Sequence, residues 1–193
     1  MNYRHGYHAG NFADVVKHVA LVAILTSLKK KDTAFSVIDS HAGRGLYDLA
    51  GADALRTGEA QNGIARLQDL KGELPEALAT YLSLVKEGGD NAYPGSPLII
   101  AKLLRQQDRL TAIEKHPEEF AALKQALAPF QNAAAENGDG YVRALKLLPP
   151  PSRRGLLLVD PPFESPDEFA VLIEGQRAHF AEMAQAIGLR PGE

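Results

Sequence analysis

Apolar positions along the chain alternate between two signatures, short bounded runs and longer stretches at helical spacing. Asn11 to Lys30 is predicted as a helix, with Val15, Val19, Val22 and Ile24 to Leu28 supplying its apolar face. Asn11 suits the N-cap, Asp14 favours the positive end of the dipole, and Lys29, Lys30 and Lys31 favour the other end. Phe35 to Asp39 reads as a first buried strand, Leu110 to Glu114 as a second and Ala133 to Glu136 as a weak third. Leu156 to Asp160 reads as a fourth, which Pro161 and Pro162 stop at the carboxylate. Between them, helices are predicted over 98–107, 117–127 and 141–148. Strand alternating with helix is the pattern of a parallel α/β sheet.

One region interrupts that alternation. From about residue 47 to 92, Ile64, Leu67, Leu70, Leu74, Leu78, Leu82 and Val85 recur at near-helical spacing, broken by Gly72 and Pro75. No strand is expected there, so the stretch reads as a helical insertion after the first strand. It acts as structural padding or contacts a large substrate. Ser165 to Ala186 is predicted as one further helix.

Composition narrows the class. A hydrophobic content of 45% over 193 residues supports one domain with a sizeable core. The net charge of −3 gives no global basic field, so a nucleic-acid partner needs a local basic patch. There are no cysteines, hence no disulfide, thiolate metal site or cysteine nucleophile. His5 and His8 are spaced for a metal but lack a clear third and fourth ligand, so no metal is expected. No apolar run reaches the length of a membrane span, and Tyr3-Arg4-His5 is unlike a secretion signal. The expectation is a cytoplasmic protein without membrane or metal.

Candidate chemistry gathers where strands end, which is where open α/β sheets bind ligands. The first strand runs into Ser40-His41-Ala42-Gly43-Arg44-Gly45, the first half of a nucleotide-binding fingerprint. Asp48 stands where a dinucleotide fold would need a third glycine, leaving room for a smaller adenosyl ligand. Glu114 ends the second strand with paired acceptors. Asp139, between Gly138 and Gly140, reads as a turn residue or an acceptor for an adenine amine. Ser96 either caps the helix begun by Pro97 or faces the cleft. The polar stretch 1–11 is a frayed terminus or an arm over a site. Lys29 to Lys31, and Arg153 with Arg154, read as solvated ends or, alternatively for the lysines, as an RNA contact.

Asp160-Pro161-Pro162-Phe163 resembles the Pro-Pro-aromatic turn of S-adenosylmethionine-dependent amino-methyltransferases. Tyr3-Arg4-His5, His8-Ala9-Gly10-Asn11, Asp14 and Lys17-His18 are the distinctive companions. With Arg56-Thr57-Gly58-Glu59, Tyr93 to Leu98, Glu114-x-His116-Pro117 and Ser152-Arg153-Arg154-Gly155, they follow in order the pattern of the RlmJ family of bacterial 23S rRNA adenine-N6 methyltransferases. The resemblance covers about residues 1 to 163. It implies a Rossmann-like class I methyltransferase sheet with a helical insertion after the first strand. It implies S-adenosylmethionine contacts at His18, His41, Ser96, Glu114, Asp139, Gly140 and Asp160, with Lys17 as a further candidate. Asp160 would be the catalytic acceptor, Tyr3 would meet the 23S rRNA substrate, and Phe163 would stack on the base. The family continues for roughly another hundred residues, so the C-terminal strands are expected to be missing and the fourth strand to form a sheet edge. Two alternatives stay open: a DNA adenine or protein glutamine methyltransferase, and a truncated, non-catalytic fragment that binds cofactor or RNA.

Overall fold

The computed structural model describes residues 5–67, 70, 72–162 and 174. The chain divides into two compact units, Met1–Val159 and Asp160–Glu193. Most of the helix expected over 165–186 lies outside the described residues, as do Tyr3 and Phe163.

Four strands of the first unit form the central sheet: β1 (Ser36–Asp39), β4 (Arg109–Glu114), β5 (Ala133–Asn137) and β6 (Gly155–Leu158). Their order is β5-β4-β1-β6, and every pairing is parallel. Val37, Ile38, Leu110, Ala112 and Ile113 are buried, as the unbroken apolar runs require. The chain moves outward from β1 to β4 to β5, then crosses back to β6 on the other side. That reversal makes the carboxyl ends of β1 and β6 a topological switch point, where open α/β sheets bind ligands.

Helix α1 (Phe12–Lys29) begins at Asn11, whose side chain accepts the Asp14 N–H at 2.9 Å. Its core stripe is Val15, His18, Leu21, Val22 and Leu25, at i+3 and i+4 steps, while Ile24 is exposed. The expected face therefore rotates, and a histidine becomes part of the core. Helices α5 (Pro117–Leu127) and α6 (Gly140–Lys146) follow β4 and β5. Helix α4 (Ser96–Leu103) stops earlier than expected, where Leu104 adopts extended backbone.

The insertion is not purely helical. It contains α2 (Ala52–Thr57), α3 (Glu76–Lys86) and two 3₁₀ turns, but it is bracketed by β2 (Leu46–Asp48) and β3 (Ala92–Pro94). These pair antiparallel, with Tyr47 opposite Tyr93. Helix α3 buries Tyr81, Leu84 and Val85. Strand β6 ends at Leu158, two residues before Asp160. Leu158 lies opposite Asp39, the last residue of β1, and its carbonyl takes the Ser40 N–H at 3.0 Å. Beyond that point no ladder partner among the described residues continues.

Candidate functional site

The carboxyl ends of β1, β4 and β5 bring together three residues from distant parts of the sequence. Glu114, last in β4, holds the loop after β1: its Oε2 accepts the Gly43 N–H at 2.9 Å, and its Oε1 accepts the His116 N–H at 2.7 Å. An ionised carboxylate has about four acceptor positions, so roughly two remain for a ligand. Asp139 follows β5. The expected turn is instead the N-cap of α6, with Oδ1 accepting the Tyr141 and Val142 N–H groups. Its Oδ2 accepts a hydrogen bond from Lys115 Nζ at 3.0 Å. Burial opposes ionisation of Asp139, but the Lys115 hydrogen bond and the two backbone donors outweigh it, so its carboxyl pKa lies below the ordinary value.

His41 stands between these acids and β6. Its Nδ1 is 2.8 Å from Ser40 Oγ, and that hydroxyl donates to the Leu158 carbonyl at 3.0 Å. The hydroxyl has one proton. With that proton directed to Leu158, Nδ1 is the donor of the Ser40–His41 bond. Tyr141 meets the imidazole edge-on at 4.8 Å. Gly140 packs directly on the loop after β1. A Cβ there would sit 2.0 Å from the Ser40 carbonyl oxygen and 3.1 Å from His41 Cε1.

Ser96 does not cap α4. Gly95 occupies the cap position without a side-chain bond, and the Ser96 hydroxyl donates to buried Asp39 Oδ2 at 2.7 Å. A buried carboxylate commands a donor more strongly than a helix end that water can reach. The Gly95 N–H also bonds the Gly45 carbonyl at 2.8 Å, tying α4 to the glycine turn.

His18 is fully buried, and its Nδ1 lies 2.9 Å from the Tyr93 hydroxyl, which lies 3.0 Å from the Tyr81 hydroxyl. Burial pushes both phenols up, so each keeps its proton and the chain of donors persists at any ordinary pH. Tyr81 was not expected in this setting, and Tyr93 was expected only as part of the stretch Tyr93 to Leu98 that carries the family resemblance. Lys17, on the neighbouring face of α1, pairs with buried Asp14 at 2.8 Å, and Asp14 also accepts the Gly10 N–H.

The arm preceding α1 is stitched to the insertion through the Arg-Thr-Gly-Glu stretch. Glu59 accepts from His8 Nδ1 at 2.9 Å and from Asn11 Nδ2 at 2.9 Å. The Ile64 N–H bonds the Gly10 carbonyl, Thr57 donates to the Tyr7 carbonyl, and Arg56 lies over the Tyr7 ring. Of the remaining expected site residues, Asp160 falls in the second compact unit, and Tyr3 and Phe163 lie outside the described residues.

Comparison with known proteins gives a consistent result. Residues 32–189 match the family model described as ribosomal RNA large subunit methyltransferase D, RlmJ. The chain is 41% identical over 191 residues to the ribosomal RNA large subunit methyltransferase J of Escherichia coli K12, covering 97% of this chain and 68% of that protein. It is 40% identical over 179 residues to the Haemophilus influenzae protein of the same name, covering 90% of this chain and 63% of that one. The crystal structure of protein LPL1258 from Legionella pneumophila superposes with a TM-score of 0.83 at 34% identity, over 92% of this chain and 66% of that chain. The chain thus spans about two thirds of the length of these proteins. A parallel sheet with acids at its carboxyl ends and this likeness over nearly its whole length lead to one conclusion: the chain belongs to the RlmJ family of ribosomal RNA large subunit methyltransferases.

Proposed function

We propose that this chain transfers a methyl group from S-adenosylmethionine to N6 of an adenine in 23S rRNA, in the ribosome-bearing cytoplasm. The observation that carries the reading is the convergence of His41, Glu114 and Asp139 at the carboxyl ends of adjacent parallel strands. The donor set fits an adenosyl ligand. Glu114 keeps about two acceptor positions, which match the two ribose hydroxyls, and Asp139 keeps about one for the adenine amine. His18, His41, Ser96 and Gly140 complete the cofactor wall in this reading, and the negative charge suits a sulfonium.

When bound, S-adenosylmethionine supplies an electrophilic methyl that needs no further activation. The residues of the chain act on the amine. The N6 lone pair is delocalised into the adenine ring and is a poor nucleophile. Acceptance of its N–H groups by the Asp160 carboxylate and the Pro161 carbonyl favours a more tetrahedral, more nucleophilic nitrogen. Pro161 and Pro162 have no N–H to compete for that acceptor and stiffen the backbone that presents it. A target base must leave its stack to enter such a site, and Phe163 offers the ring on which it rests. Tyr3 meets the RNA. In-line positioning then supplies much of the acceleration.

The test is transfer from a labelled donor to unmodified 23S rRNA, DNA and protein, with digestion to identify the modified base. N6-methyladenine in the RNA is expected; label in DNA or protein instead, or no turnover, would overturn the reading. Glu114→Ala should weaken cofactor binding roughly 10- to 150-fold, from about 1.5–3 kcal/mol for hydrogen bonds to a charged group. An unchanged Kd by calorimetry removes Glu114 from the site.

A further inference from the structure

Seven cationic side chains meet at the end of the sheet opposite Glu114 and Asp139. They come from three stretches far apart in sequence: Lys29, Lys30 and Lys31 at the end of α1; Arg105 and Arg109 entering β4; Arg153 and Arg154 entering β6. Strand register forces the meeting. Ser36, the first residue of β1, pairs with Arg109 on one side and Gly155 on the other, and its N–H bonds the Arg154 carbonyl. The same stretches contribute two carboxylates, Asp32 and Asp108; seven against two leaves a local balance of +5 in a chain whose net charge is −3.

Three of the cations have structural work. Arg105 pairs with buried Asp108 and donates to the carbonyls of Lys31 and Thr33. Arg154 donates to the carbonyls of Thr33 and Leu28. Both guanidinium groups lie over the Phe35 ring, at 5.6 and 5.7 Å. Arg109 donates to the carbonyls of Gln106 and Asp108. Arg105 and Arg154 thereby clamp the lysine-bearing loop onto the sheet, while Arg109 ties the turn before β4. Of the Ser-Arg-Arg-Gly stretch, Ser152 bonds Ser36 Oγ, Arg154 clamps the loop, and Gly155 admits the Ser36 carbonyl. Alone in this stretch, Arg153 has no side-chain hydrogen bond or ion pair among the described residues. It is exposed and holds φ 49°, a conformation that costs a non-glycine residue energy.

Lys29, Lys30, Lys31 and Arg153 have no carboxylate partner among the described residues. Unpaired like charges on a clamped frame repel one another; the helix dipole accounts for lysines at the end of α1, but not for bringing Arg153 into the same surface. We propose that this end of the domain binds the phosphate backbone of the RNA substrate, away from the methyl-transfer face. The inference rests on the RNA reading above. Dispersed cations without a closed pocket suit a periodic polyanion better than a single anion. None of the exposed large apolar side chains among the described residues lies in these three stretches, so the wedge that a lipid surface would take is missing from them. Beside the cations, Arg109, Lys102, Phe130 and Asn132 line an open depression.

The test is the triple variant Lys30→Gln, Lys31→Gln, Arg153→Gln. Affinity for a long unmodified 23S rRNA transcript is read by fluorescence anisotropy as salt is varied. The slope of log affinity against log salt should fall by about 2 to 3, since each neutralised phosphate contributes about 0.7–0.9. KM for the long RNA should rise about 10-fold at physiological salt. Values of kcat, S-adenosylmethionine affinity and KM for the shortest methylated fragment should hold. An unchanged slope and KM would overturn the proposal. So would binding of the wild type to phosphatidylserine vesicles that the variant loses while its RNA affinity stays the same. If the triple variant melts early, Lys31→Gln and Arg153→Gln singly should each lower the slope by about 0.7–0.9. A wild type that methylates no RNA sinks the function proposed above, while the salt slope still decides whether this surface binds RNA.

Discussion

The two ends of the parallel sheet treat charge in opposite ways. At the carboxyl ends, Asp39, Glu114 and Asp139 each meet a hydroxyl, a backbone N–H or a lysine. At the amino ends, arginines grip backbone carbonyls while Lys29, Lys30, Lys31 and Arg153 stand without counter-charge among the described residues. A parallel sheet makes this segregation possible, because every strand begins at one end and finishes at the other. The carboxyl end gathers acids at the ends of neighbouring strands, as the proposed small ligand requires. The amino end spreads cations over a surface, as a long polyanion requires.

Two glycines allow that contrast to be broken from either side. Gly140 presses on the Ser40 carbonyl and Gly155 on the Ser36 carbonyl, where an added Cβ would sit 2.0 and 2.1 Å away. Backbone must shift in both cases, so Gly140→Ala and Gly155→Ala should each lower stability by roughly 1–3 kcal/mol in denaturant titration. Only Gly140→Ala should also weaken cofactor binding per folded molecule. Equal loss of affinity in both would show that the two ends are not functionally separate.

A smaller effect is expected from Tyr93→Phe. It leaves His18 and Tyr81 without their shared hydroxyl in a fully buried place, costing about 1–2 kcal/mol of stability. The His18 ring should also lose its preferred tautomer, which nitrogen chemical shifts report. Unaltered His18 shifts would show that Tyr93 does not orient the ring.

The smallest effect concerns pH. The folded pKa of Asp139 lies below its unfolded value, so its stabilising contribution is present above about pH 4 and is lost as pH falls through the folded pKa. Asp139→Asn should therefore flatten the decline of Tm on acidification without changing its slope near neutrality. A parallel decline in both proteins would place the acid-sensitive group elsewhere.

Much of this was legible in the sequence because it is local. Apolar runs marked β1, β4 and β5 to within a residue or so, and Asn11 marked the start of α1. The β2–β3 ribbon was not legible, since Leu-Tyr-Asp and Ala-Tyr-Pro are too short and too mixed to carry a period. Ser96 looked like a cap because its competing partner, Asp39, is distant in sequence. The Tyr81–Tyr93–His18 chain left no spacing signal at all; only tertiary packing joins it. The lysines of α1 and the arginines before β6 each read as solvated ends when taken alone, and register made them one surface.

The central position of β1 bears on how the chain is made. Its partners are β4 and β6, which begin at Arg109 and Gly155, so the first strand emerges from the ribosome long before either neighbour exists. Until Glu114 is synthesised, Val37 and Ile38 have no ladder to join, and the loop that Glu114 holds has nothing to anchor it. Assembly of this sheet must therefore wait on distant closure rather than proceed from the N-terminus, which makes for slow folding and a long period of exposed apolar backbone.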